Sequence, residues 1–144
     1  TLTVKPPITS TSTPCPPSTA TGIDVNPAVF KIQDDEFLFD TRYNVIPGLP
    51  IKDGVDLSNY DLEFTFQGGD GRQVQLWYKD SGWRNVYSFL YTIRSCQPIR
   101  YDPSTDGRKV DEFNDFTQIY AIGAKVIDGV EGIQITSVKL IKRT

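Results

Sequence analysis

The chain has 144 residues, with 18 Asp or Glu against 15 Lys or Arg and a net charge of −3. That length supports one domain with a core of its own. The acidic balance speaks against nucleic acid, whose phosphates demand an excess of Lys and Arg, and no apolar run of about 18 residues exists to span a membrane. Histidine is absent, which removes the usual general base, zinc ligand and physiological-pH switch together. Methionine is also absent, even at position 1, so the start is expected to follow a processing event.

Residues 1–22 hold ten Ser or Thr, five Pro and a single charge at Lys5. Such a stretch cannot bury enough apolar surface to form a core. It reads as an extended Pro/Thr-rich arm or linker ahead of a body over 23–144. Leu2 and Val4 alternate with Thr1, Thr3 and Lys5, a pattern that can add a strand to a sheet edge. The two cysteines, Cys15 and Cys96, are too far apart for a metal clip. A disulfide would tie the arm to the body; two free thiols remain open as well.

From Gly22 onward the sequence is punctuated strands. Apolar-rich runs at 28–33 and 36–46 flank the acidic turn Asp34-Asp35-Glu36. Pro47-Gly48, Pro50 and Asp53-Gly54 mark loops. Leu62, Phe64 and Phe66 alternate with Glu63, Thr65 and Gln67, which predicts a half-buried strand. Gly68-Gly69-Asp70-Gly71 reads as a hairpin turn. Val74, Leu76 and Tyr78 then alternate with Gln75, Trp77 and Lys79, and Asp80-Ser81-Gly82 turns the chain before a strand at 86–93. These three strands are expected to pair in sequence as an antiparallel meander. Residues 97–115 read as loop, 119–127 and 133–141 as strands around a turn at 128–132. No window carries a helical apolar period, so an all-β antiparallel sandwich is expected.

Two segments, Val55-Asp56-Leu57-Ser58-Asn59-Tyr60-Asp61-Leu62-Glu63-Phe64 and Gln73–Trp83, together with the ending Asp115–Tyr120 and Ile133–Leu140, resemble the galactose-binding-like jelly-roll sandwiches used by many carbohydrate-binding modules. The likeness spans about 28–141. It implies a jelly-roll topology, a glycan ligand and, in many such modules, one structural calcium near the start of the sandwich. Carboxylate oxygens suit calcium, so Asp34, Asp35 and Glu36 are the candidate ligands here, against the plainer reading of a solvated acidic turn.

The aromatic set carries the binding chemistry. Sugar recognition combines flat apolar faces with side chains that pair with hydroxyls. Gln75, Trp77, Lys79, Asp80, Trp83, Arg84 and Asn85 supply both within one short stretch, with Tyr60, Arg100 and Tyr101 as weaker candidates from neighbouring loops. Trp77 is expected on the face opposite Leu76 and Tyr78, although tryptophan is as often packed away as displayed. No serine or cysteine has a histidine partner, and no S-x-x-K motif occurs, so catalysis is not expected. The resulting expectation is a non-catalytic, extracellular or surface-displayed glycan-binding module. The alternative is a structural subunit of an extracellular or virion assembly (of the phage capsid decoration or fibre type) whose arm grips a neighbouring subunit or a second copy.

Overall fold

The computed structural model describes residues 15–16, 21–49, 54–102, 107–108 and 116–143. The proposed edge strand at Thr1–Lys5 and the turn residues Pro50, Asp53, Pro103 and Asp106 lie outside them. The described residues form two antiparallel sheets and no α-helix. The smaller sheet runs, from edge to edge, β1 (Ile23–Val25), β11 (Gln134–Lys142), β4 (Tyr60–Gln67) and β8 (Ile99–Tyr101). The larger runs β2 (Lys31–Gln33), β3 (Glu36–Asp40), β10 (Ile119–Val126), β5 (Gln73–Asp80), β6 (Asn85–Ser88) and β9 (Gly107–Arg108), with β7 (Tyr91–Thr92) also pairing β5. A short 3-10 turn at Pro27–Val29, capped by the Asn26 side chain, carries the chain from one sheet to the other.

The two sheets bury their facing sides against each other, as strand alternation requires. Phe37 and Phe39 of β3, Leu76 and Tyr78 of β5 and Ile122 of β10 meet Leu62, Phe64 and Phe66 of β4 and Val138 and Leu140 of β11. Aromatic rings bridge the layers. Phe37 lies 6.2 Å from Phe66, Tyr78 lies 5.6 Å from Tyr101, and Phe30 closes one side at 5.3 Å from Phe39 and 5.4 Å from Phe64. At the end of the smaller sheet, buried Asp61 pairs with Arg100 at 2.9 Å and Arg143 at 3.1 Å. Arg143 also donates to the carbonyls of Ser58 and Tyr60. A Cys15–Cys96 disulfide joins the N-terminal region to the segment after β7.

Four sequence expectations are corrected. The 62–67 strand does not pair with 74–79: β4 lies between β11 and β8, and Gly68–Gly71 carries the chain across to the other sheet. Gly68, Gly69 and Gly71 all have positive φ, and Gly69 packs against Ile133, so the segment bends out of plane rather than reversing within it. The rest of the meander holds, since β5 pairs with β6 and β7. The run 36–46 ends as a strand at Asp40, where the carboxylate accepts from the Arg42 backbone and turns the chain. The run 86–93 breaks at Phe89-Leu90, both exposed. Residues 97–115 contain the short strands β8 and β9.

Gly123 is the tightest point of the larger sheet. A Cβ there would strike the carbonyl of Phe37 and the indole of Trp77. Gly123→Ala is expected to lower stability by about 1–3 kcal/mol, the usual scale for overpacking, measured as a fall in the urea midpoint without a change in slope.

Candidate functional site

The outer face of the larger sheet holds the site. On its middle strand, β10, Ala121 and Gly123 face outward ahead of Lys125, flanked by β3 on one side and β5 on the other. Small side chains between two rows of large ones leave a trough. Trp77, paired in register with Gly123, lays its indole over the glycine and fills one part of it. Beside it, over Ala121, the trough stays open between Asp40 and Lys79. The result is a groove of about 290 Å³ lined by Gln33, Asp34, Glu36, Leu38, Asp40, Arg42, Lys79, Trp83 and Ala121.

A β-bulge shapes the end of this groove. The register of β10 against β5 shifts between Ile119 and Ala121, so Ile119 enters the core while Ala121 faces outward. Tyr120, at the bulge, meets Trp83 edge-on at 6.1 Å between ring centroids. Thr41 secures the bulge, its backbone N–H donating to the Tyr120 carbonyl and its hydroxyl to the Ile119 carbonyl at 2.6 Å. That anchor places the next residue, Arg42, whose guanidinium lies 4.6 Å from the Trp83 ring, 5.0 Å from Tyr120 and 5.3 Å from Tyr43. Asp40 holds the other side of Arg42 through two side-chain bonds, at 2.8 and 3.1 Å. Burial works to raise the Asp40 carboxyl, but the Arg42 hydrogen bonds and charge outweigh it and hold the carboxyl below its usual range.

Trp83 owes its position to Asp80. The Asp80 side chain is buried, and one of its oxygens accepts from the backbone N–H groups of Gly82 and Arg84, both at 3.0 Å. The other oxygen pairs with the Arg84 guanidinium at 3.1 Å. Within this five-residue turn Trp83 takes a left-handed conformation, φ 57°, which is uncommon and costly for a bulky residue. The side chain it presents is 51% exposed, and Tyr43 nearby is 76% exposed. Lys79 lies with its ammonium 4.8 Å from the Trp83 ring and 5.7 Å from the Trp77 ring. At the far end of the groove Glu36 has one carboxylate oxygen closed off without a hydrogen-bond partner among the described residues. Burial raises its pKa, against the opposing pull of Lys125 and Lys79.

The residues singled out from sequence therefore separate. Trp83 and Lys79 line the groove. Trp77 faces outward as alternation demands, yet it is only 1% exposed and serves as packing rather than as a platform. Asp80 and Arg84 build the turn and have little left to offer a ligand. Gln75 donates to the Ser88 carbonyl and Asn85 to the Tyr87 hydroxyl, so both support neighbouring strands. Tyr101 is a correction: it is fully buried in the core against Tyr78. Tyr60, which opens β4, belongs to the smaller sheet rather than to the groove. Asp34 and Asp35 take positive φ as the two central residues of the β2–β3 hairpin, a conformation that favours Asp and Asn. That turn conformation gives the acidic pair a structural role, and among the described residues no group of three or more His, Cys, Asp or Glu is placed to hold a metal. Arg42, Tyr43, Tyr120 and Ala121 were missed. An Asp-x-Arg-aromatic step at a strand end and small residues alternating along one strand are the signals that point to them.

No protein-family model matches the chain, and no curated protein or solved structure matches it either.

Asp80→Ala removes the acceptor for two buried backbone donors and a guanidinium. It is expected to cost about 2–4 kcal/mol in chemical denaturation and to change the emission of the exposed Trp83 relative to buried Trp77 in intrinsic fluorescence.

Proposed function

We propose that the protein is a non-catalytic glycan-binding module whose site is the groove beside Trp83. The observation that carries this reading is a large aromatic held out at the mouth of a polar groove in an unfavourable backbone conformation. Strain of this kind costs on the order of 1–3 kcal/mol and gathers at functional sites. Packing against Arg42, Lys79 and Tyr120 returns only part of it, because about half of the Trp83 surface is in solvent. An exposed indole suits the C–H face of a sugar ring, and Gln33, Asp34 and Lys79 of the groove lining supply acceptors and donors for its hydroxyls. The two-sheet sandwich agrees with the resemblance to galactose-binding-like jelly rolls, and we carry that topology as part of the proposal. A long-range disulfide suits an extracellular or surface-displayed protein, and no helix among the described residues is long and apolar enough to cross a membrane.

The test is a glycan array followed by calorimetry on a responsive oligosaccharide. Trp83→Ala is expected to weaken binding by about 1–3 kcal/mol, the scale of base stacking on aromatic side chains, at an unchanged melting temperature. A response that Trp83→Ala leaves intact would move the site elsewhere.

One observation favours a second reading, assembly through the arm. The outer edge of β2 has no strand partner among the described residues, and all three of its residues are exposed. Beside it lies a cleft of about 390 Å³ that includes Phe30, Ile32, Phe37, Ile133 and Ile135. An open edge over an apolar cleft suits strand addition by a neighbouring subunit. Under that reading, deleting residues 1–14, which spares Cys15, lowers the mass measured by light scattering. An unchanged mass rejects it.

A further inference from the structure

We infer that the groove selects a glycan carrying an anionic substituent, a carboxylate or a sulfate ester, and seats that substituent at its Trp83 end against Lys79. This inference rests on the glycan-binding reading and narrows it to a substrate class.

Charge compensation along the groove carries the inference. Asp40 and Arg42 satisfy each other through a bidentate contact, and the Asp80–Arg84 pair does the same beneath the turn. The remaining charges of the lining divide between its two ends. Asp34 and Glu36 lie at the hairpin end, and Lys79 lies at the Trp83 end. Among the described residues Lys79 makes no ion pair. Its ammonium is instead held over two indole rings. A cation so placed keeps its donors free, and an anionic group meeting it makes charge-assisted hydrogen bonds about twice as strong as neutral ones.

The hairpin end fits the other part of such a ligand. Asp34 and Glu36 line that end, and their carboxylates repel a second anion and leave it to the sugar's hydroxyls. A ligand bearing its negative group at one end and hydroxyls at the other is therefore both favoured and oriented. Neutral sugars can still stack on Trp83, but they make no ion pair with Lys79.

The experiment compares three tetrasaccharide probes by titration calorimetry on the full chain: a galacturonate oligomer, a sulfated galactan oligomer and neutral cellotetraose. At least one anionic probe is expected to bind at least tenfold more tightly than the neutral one, with affinity falling as salt is raised. The carboxylate and sulfate arms show which group the site prefers. Lys79→Gln is expected to abolish the preference, with the anionic affinity falling at least tenfold further than the neutral one. Lys79→Arg is expected to keep it within about threefold, and circular dichroism verifies the fold of both variants. Equal or tighter binding of cellotetraose overturns the inference and leaves glycan binding standing, as does an anionic preference that Lys79→Gln leaves intact. No binding to any of the three probes overturns the inference. If the glycan array is silent as well, the function proposed above falls with it.

Discussion

The architecture of the outer face turns on the contact between Gly123 and Trp77. A tryptophan on the outer side of a sheet is ordinarily wet, because no second layer covers it. Here the strand beside it contributes a glycine, the indole lies down over the bare backbone, and Trp77 becomes almost fully buried without entering the core. Because the indole fills the trough at Gly123 and stops there, the neighbouring step over Ala121 stays open. One residue with no side chain thus fixes where the sheet is closed and where it is grooved. Lys79 and Asp40 become the walls of the groove because they flank Ala121 in register.

Hydrogen bonds hold the walls of the groove at three points. Thr41 binds two carbonyls at the β10 bulge, Asp80 binds two amides in the turn before β6, and Asp40 grips the guanidinium between them. Each of these groups is spent on structure. What they present is an aromatic and cationic rim, with Arg42 set among Tyr43, Trp83 and Tyr120. A rim ordered before binding reduces the entropy that a ligand must otherwise offset.

Much of the fold was legible because half-buried strands write their alternation into the sequence. Val74, Leu76 and Tyr78 against Gln75, Trp77 and Lys79 fixed both the strand and the direction of each side chain. Whether an outward Trp77 is wet or buried was not legible, since it depends on a glycine 46 positions later in another strand. The Gly68–Gly71 segment was misread for the same reason. Its local chemistry is that of a hairpin, and only the pairing of β4 with β11, at the far end of the chain, shows that it crosses between sheets. In the Asp80–Arg84 turn the natural choice for a positive φ is Gly82, yet the hydrogen bonds of Asp80 place it on Trp83. A turn was predictable there, but the residue it displays was not. Arg42 escaped notice because its importance comes from rings brought in by β10 and the turn, not from its own neighbours.

The Cys15–Cys96 bond has a mechanical consequence. It closes a covalent loop across a sequence separation of 81, and strands β1 to β7 lie inside that loop. Tension applied between the two ends of the chain enters at Cys15, passes through the sulfur atoms to Cys96 and bypasses everything between. The groove-forming parts of β3 and β5, with Trp83, are therefore off the load path. The strands that carry force are those after Cys96. The last of them, β11, lies in the middle of the smaller sheet between β1 and β4, so extension must strip its ladders on both sides. Under tension between its two ends the protein resists first through β11 in the smaller sheet and then through β10 in the larger, and the grooved face bears load only through β10.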